Sequence, residues 1–142
     1  MKHFKTTAFI SSLSALLIGT TLIGAALAQA SGTISGTITI PSSIKSLEHV
    51  KVFLCNEADK MCAKPVQMLS LKGKKAPKVK YTFAKLTAGK YFIYAINDTD
   101  ENNEHDMTNE EFGAWMKEGM MDPAMISPPA KNIDFDIVGV MK

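Results

Sequence analysis

The sequence predicts a mainly β fold: a two-sheet antiparallel sandwich of six to seven strands, with one short inserted helix near residues 108–118. Three observations support this prediction. Residues 33–40 alternate isoleucine or glycine with threonine or serine, the period-two pattern of a half-buried strand. Residues 91–96 are apolar at every position, as in a strand buried on both faces. Turn signals separate several further short runs, which favours two packed sheets.

The other strands follow from the same alternation. Val50, Val52 and Leu54 share one face of a second strand, and Ile133, Phe135 and Ile137 share one face of the last. The segment 66–71 is a weaker strand signal, and a lysine-rich loop with a glycine and a proline follows it. The predicted strands are 33–40, 50–56, 66–71, 79–83, 90–97 and 131–140.

A helix start is predicted at Thr108, because Glu111 lies three residues later in a T-x-x-E capping box. Phe112, Trp115 and Met116 then fall at positions i, i+3 and i+4, which places them on one helical face. Glycine 119 is a natural C-terminal stop. The sequence therefore predicts that this helix packs its aromatic face on the sheet.

The first 30 residues have the pattern of a cleaved signal peptide, which leaves residues 31–142 as the β-sandwich domain. Lys2 and Lys5 precede an uncharged run over 8–27, and Ala28-Gln29-Ala30 is a cleavage site of the A-x-A type. An uncleaved membrane anchor is the alternative, although five serines and threonines make the run a poor one. The prediction is a bacterial protein that is periplasmic or extracellular, with no membrane span after cleavage.

Charge excludes some partners and points to one region. Residues 31–142 contain 14 lysines, no arginine and 14 acidic residues, which argues against a nucleic-acid-binding protein. The charges are segregated: residues 45–90 hold 11 lysines against three acids, and residues 98–122 hold nine acids against one lysine. Crowded carboxylates repel one another unless a cation neutralises them, so the second region is a candidate cation site.

The acidic loop, residues 98–106, has the spacing of a calcium-binding loop. Asp98, Asp100 and Asn102 occupy positions 1, 3 and 5, Glu104 offers a backbone carbonyl at position 7, and Asp106 stands at position 9. Position 12 lacks the usual bidentate glutamate, since Glu110 and Glu111 come one and two residues late. Calcium is the expected ligand, and a solvated turn rich in Asp and Asn is the alternative.

Two cysteines and a group of methionines are further candidates. Cys55 and Cys62 are the only cysteines, and their short spacing in a secreted chain predicts a disulfide. Soft methionine sulfurs near a histidine suggest a copper(I) site as an alternative, with apolar packing as the simpler interpretation. The candidate copper ligands are His105, Met107, Met116, Met120 and Met121.

The segment Tyr81–Tyr91 resembles a signature of transthyretin-like and carboxypeptidase-regulatory-like sandwiches: a strand, a leucine, small residues, a glycine and an aromatic opening the next strand. The acidic loop resembles the D-x-N-x-N-G-x-x-D loop in a family of secreted bacterial domains of unknown function, with Asn103 in place of the glycine. Asn103 is expected to be left-handed. The resemblance implies a transthyretin-like sandwich.

The predicted function is a non-catalytic module of the bacterial envelope, stabilised by calcium and serving a binding or structural role. Its partner is an unidentified protein or envelope component. The alternative is a periplasmic protein that binds a small ligand or copper through its His- and Met-rich segment. Enzyme chemistry has little support, because the chain lacks a G-x-S-x-G motif and shows no nucleophile paired with a base.

Overall fold

The structure, a computed structural model, describes residues 32–106, 108–119 and 122–140. The predicted signal peptide and three of the candidate copper ligands, Met107, Met120 and Met121, lie outside these ranges. The described residues form seven strands, in this order: β1 Gly32–Thr39, β2 Val50–Asn56, β3 Gln67–Ser70, β4 Lys78–Leu86, β5 Tyr91–Asn97, β6 Phe112–Ala114 and β7 Phe135–Asp136. Within the described ranges, no helix is long and apolar enough to cross a membrane.

The strands form two sheets. One has the order β4-β1-β7 and the other the order β3-β2-β5-β6. All pairs are antiparallel except β1 with β7, which run parallel with Ile38 opposite Phe135. The mainly β prediction with antiparallel-rich sheets is confirmed, and the strand predicted over 50–56 has the observed bounds.

Alternation along the strands decides which side chains enter the core. Apolar residues at alternate positions of β1, β2 and β5 are buried in one cluster to which both sheets contribute, including Ile34 and Ile38 from β1 and Val52 and Ile93 from the larger sheet. A second, smaller cluster lies on the opposite face of the four-stranded sheet and contains Phe53, Cys55, Cys62, Phe92 and Ile96. The larger sheet is therefore apolar on both faces, as residues 91–96 predict.

The predicted helix near 108–118 is wrong. The described residues of this segment form one turn and then β6, which pairs with β5 through Ala114 opposite Tyr94. Glu111 does not close a capping box; its carboxylate accepts a hydrogen bond from the side chain of Asn97 at 3.0 Å. This pairing satisfies the free edge of β5. Gly113 allows the backbone of residues 136–137 to pass close to β6, because a Cβ there would collide with the carbonyl oxygen of Asp136. Trp115 is partly buried and packs against the core from this strand end.

The last strand is shorter than predicted and parallel to its neighbour. Residues 130–133 run beside β1 by irregular backbone hydrogen bonds, among them Ile133 N–H to the Ser35 carbonyl at 3.1 Å. Gly36 allows this close approach, since a Cβ there would meet the Ile133 backbone. Asn132 is left-handed with φ 58°, which interrupts regular pairing before Phe135.

Candidate functional site

The acidic loop leaves the end of β5 and is anchored by the side chain of Asp98. This carboxylate is 0% exposed. Lys51 of β2 places its Nζ 2.6 Å from Asp98 Oδ2 and 2.8 Å from Asn103 Oδ1. The N–H groups of Asn102 and Asn103 donate to the same carboxylate at 3.1 and 3.0 Å. A charged lysine from a neighbouring strand therefore neutralises the first predicted calcium ligand.

The surroundings of Asp98 keep it ionised. Burial is the largest single influence and raises the pKa of this carboxyl group, because the charged form loses its water. The hydrogen bond from Lys51, the backbone N–H of Asn103 and the charge of Lys51 act in the opposite direction. Together they outweigh burial, so the pKa of Asp98 lies below its ordinary value. A buried, ionised aspartate thus fixes the beginning of the loop.

Three carboxylates converge at this place. Oxygen atoms of Asp98, Asp100 and Glu110 all lie within 4.8 Å of one another. Glu110 is 2% exposed and its carboxylate accepts the N–H groups of Thr99 at 3.1 Å and Asp106 at 3.0 Å. Sequence spacing pointed to this region but placed Glu110 one residue too late for the calcium-loop pattern. The sequence signal for Glu110 is that it lies only one residue after position 12 of the pattern, where a calcium loop has its bidentate glutamate.

Asp106 does not belong to that group. Its carboxylate accepts the hydroxyl and the N–H of Thr108 at 2.6 and 2.9 Å, and the side-chain amide of Asn109 at 2.7 Å. The hydroxyl bond of Thr108 is the largest cause of a lowered pKa at Asp106. Asp106 therefore caps the turn at 108–110, a role that the sequence analysis predicted for Thr108.

The remaining predicted ligands close the loop internally. Asn102 donates its backbone N–H to Asp100 at 3.2 Å and its amide to the same carboxylate at 2.9 Å. Its side-chain oxygen accepts the N–H of Glu104 at 2.6 Å, while the Glu104 side chain is exposed. Asn103 is left-handed with φ 61°, as expected. The loop is a series of Asx turns around Asp98 and Asp100.

A row of stacked rings crosses the outer face of the four-stranded sheet, the face turned away from the larger core cluster. Phe53 and Tyr94 are stacked at 4.9 Å with an angle of 10° between their planes. Tyr94 and Phe112 follow at 5.8 Å and 28°, and His105 lies on Phe112 at 4.5 Å and 26°. The rings turn their faces toward one another, so the exposed parts of the half-buried Tyr94, Phe112 and His105 are mainly ring edges, while Phe53 is buried.

This row forms the floor of an open groove of about 920 Å³. One wall is residues 60–65, which include the disulfide-bonded Cys62, and the other is residues 102–105 of the acidic loop. Met61 and Met68 line the groove and are 88% and 47% exposed. The groove therefore combines an aromatic floor, exposed and intrinsically flexible methionine side chains, and polar walls.

The wall at residues 60–65 is held by a disulfide, as the sequence predicts. Cys55 and Cys62 are bonded, with their Cα atoms 5.4 Å apart. Asp59 fixes the turn beside the bridge, because its carboxylate accepts the N–H groups of Ala63 at 3.1 Å and Lys64 at 2.8 Å. Cys55 on β2 is fully buried in the smaller cluster, so the bridge ties this wall to the sheet.

The described candidate copper ligands are engaged separately. His105 stacks on Phe112, whereas the backbone of Met116 pairs with Pro123 and its side chain is 38% exposed. The other histidine of the described ranges, His49, places Nδ1 3.3 Å from Glu101 at the far side of the acidic loop.

Comparison of the chain with protein-family models, with curated proteins and with solved structures found no match.

Proposed function

We propose that this chain is a non-catalytic, secreted module of the bacterial envelope that binds an extended, apolar peptide segment of another envelope protein in its aromatic groove. The scaffold is a transthyretin-like sandwich, supported by the core cluster that both sheets share. The disulfide accords with export to an oxidising compartment. The groove between two separately fastened loops is the observation that carries the proposal.

The chemistry of the groove favours a peptide over other ligands. Sugars bind on the faces of aromatic rings, but here the faces of Phe53, Tyr94 and Phe112 are stacked against one another and are not available to a sugar. Ring edges carry partial positive charge and attract carbonyl oxygens, which an extended backbone supplies in a regular row. Met61 and Met68 can adapt their shape to apolar side chains of a partner. Lys60 on one wall and Glu104 on the other can pair with oppositely charged side chains at the two ends of the segment.

The non-catalytic part of the proposal rests on the partners of the histidines. His49 places Nδ1 3.3 Å from the Glu101 carboxylate without forming a hydrogen bond, and His105 lies on a phenylalanine ring. In the described ranges, neither imidazole is hydrogen-bonded to a hydroxyl group. Both cysteines of the chain are consumed in the disulfide. A general base activates a nucleophile from within hydrogen-bond reach, directly or through one water molecule.

NMR of protein labelled with ¹³C at the methionine methyl groups tests the binding proposal. The probes are blocked hexapeptides of alternating apolar and polar residues, a soluble hexasaccharide and copper(I). We expect the peptides to shift the Met61 and Met68 signals saturably and to leave Met125 unmoved, since Met125 is exposed but does not line the groove. Met68→Lys should abolish these shifts, and Met125→Lys is the matched control.

Two results would overturn the peptide proposal. One is the absence of peptide-induced shifts at Met61 and Met68. The other is a saturable response to the hexasaccharide alone. Uptake of copper(I) with shifts at Met116, in protein that does not respond to peptides, would favour the copper-binding alternative.

Calcium stabilisation of the acidic loop is a second proposal, and the convergence of Asp98, Asp100 and Glu110 supports it. Oxygen ligands at this separation suit a hard divalent cation. Calcium at a hundred times its dissociation constant should then stabilise the fold by about 2.7 kcal/mol. Thermal melts in calcium and in chelator measure this. Asp100→Asn should remove the difference, whereas Glu104→Gln, in the same loop but outside the group, should retain it. Identical melts of the parent protein in calcium and chelator would contradict the proposal.

A further inference from the structure

A second concave surface lies on another part of the molecule, between two loops that flank the start of β2. Residues 44–48 and 72–76 enclose a volume of about 550 Å³, and we call this surface the basic cradle. Four lysines and one glutamate supply its charges: Lys45, Lys72, Lys74, Lys75 and Glu48. The lining therefore carries an excess of three positive charges.

The loops of the basic cradle are fixed by apolar anchors. Ile44 and Leu47 bury their side chains in the larger core cluster, and Leu71 does the same at the start of the other loop. The N–H of Lys74 donates to the Leu71 carbonyl at 2.9 Å. Because Ile44 directly precedes Lys45 and Leu71 directly precedes Lys72, the core holds the backbone from which these two lysines extend.

The positive charges of the basic cradle are only partly compensated. Lys72 lies 2.6 Å from the Glu48 carboxylate, and Glu101 of the acidic loop adds a weaker attraction to the same lysine. Lys45 donates to the Ser42 carbonyl at 2.6 Å, which positions its ammonium group without neutralising it. In the ranges that the structure describes, no carboxylate lies within 4.0 Å of Lys45, Lys74 or Lys75.

We propose that the basic cradle binds clustered phosphate groups, carried either by a soluble polyphosphate or by the headgroups of anionic lipids. Several ammonium groups around one concavity favour a ligand with several negative charges, because each exposed pair alone is weak. Lysine binds phosphate as a point charge, whereas bidentate recognition of carboxylates is the speciality of arginine, which the chain lacks. The cradle and the aromatic groove have no lining residue in common, so this proposal does not depend on the peptide proposal.

Titration with tripolyphosphate, followed by NMR of backbone amides, tests the site. We expect saturable shifts at Gly73 and Lys74 and an affinity that falls as salt is added. The double variant Lys74→Gln/Lys75→Gln should weaken binding by about tenfold or more. The matched control is Lys64→Gln/Lys85→Gln, which removes two exposed lysines from other surfaces and should leave the affinity unchanged.

A second arm identifies the source of the phosphate. Co-sedimentation with phosphatidylglycerol vesicles, compared with phosphatidylcholine vesicles, reports on headgroup binding, and loss of sedimentation in the Lys74/Lys75 double variant assigns it to the cradle. Binding to tripolyphosphate alone assigns a soluble ligand, and binding to both assigns the shared chemistry. Failure to bind either probe overturns the proposal. Equal affinity for polyglutamate, or equal losses in the two double variants, overturns it as well.

Discussion

Two loops cover the outer face of the four-stranded sheet, and they are closed in different ways. The loop between Cys55 and Cys62 is closed by a covalent bond. The acidic loop is closed by an ion pair between Lys51 and Asp98 and by Asx turns. The first closure acts mainly by restricting the unfolded chain, whereas the second acts in the folded state and depends on charge. The two walls of one groove should therefore respond to different perturbations.

Lys51→Met should produce the largest effect, because it leaves the buried carboxylate of Asp98 without its partner. Breaking a buried ion pair from one side costs about 3–5 kcal/mol of unfolding free energy. Urea denaturation at neutral pH measures the loss. Lys90→Met removes an exposed lysine that lies 3.6 Å from Glu57, and this control should stay close to the parent protein. Equal stability of the two variants would show that Asp98 does not depend on Lys51.

Removal of the disulfide should have the next largest effect. The double variant Cys55→Ala/Cys62→Ala should lose about 2–3 kcal/mol by the chain-entropy estimate for so short a loop. Reductant should lower the stability of the parent protein by a similar amount and leave the double variant unaffected. A parent protein that is equally stable with and without reductant would contradict the closure of this loop by a disulfide.

Asn103→Ala should lower the free energy of unfolding by a smaller amount. Comparison with Asn103→Gly separates the cost of the left-handed backbone from the loss of the side-chain hydrogen bond. Alanine in the left-handed region costs about 1–2 kcal/mol, and the hydrogen bond from Lys51 is lost as well. Asn103→Gly relieves the backbone cost but still lacks that hydrogen bond, so its stability should fall between alanine and the parent. An alanine variant as stable as the parent protein would mean that the loop tolerates another backbone path.

The contribution of Asp98 to the free energy of unfolding should be constant near neutral pH and should decrease in acid. The folded-state pKa of Asp98 lies below the ordinary value of 3.8, so its contribution to stability is present above that pH and is lost as pH falls through the folded pKa. The stability gap between the parent and Asp98→Asn should therefore narrow below about pH 4. Urea denaturation from pH 6 to pH 2 follows it. A gap that stays constant over this range would contradict the ionised state of Asp98.

The sequence predicted a strand correctly where the burial of one strand face alone sets the alternation of apolar and polar residues. Alternation around Ile34 and Val52 predicted β1 and β2, since burial on one face leaves a period of two. It misled at residues 112–116, because Phe112, Trp115 and Met116 fit a helical face while a partner strand decides the outcome. Pairing of Ala114 with Tyr94 is a tertiary contact that local spacing does not contain.

The candidate site shows the same limit. Asp98 and Asp100 were recognisable from their spacing, and both belong to the carboxylate group. Lys51 was not, because it lies 47 residues before Asp98 in the chain and reaches it only through the pairing of β2 with β5. The ring row was missed for a similar reason: Phe53, Tyr94 and Phe112 come from three strands, and only the sheet register brings them together.

The pairing of β1 with β7 constrains the order in which the molecule can be completed. Ile38 lies opposite Phe135, and the carboxylate of Asp134 accepts the N–H of Thr37 at 2.7 Å, a contact between residues 97 positions apart. Such long loops close slowly compared with local contacts. β1 therefore lacks one of its two neighbours until residues 134–136 have joined it from far along the chain. The smaller sheet is completed by its most distant contact, whereas β1 and β4 can pair earlier across a shorter loop.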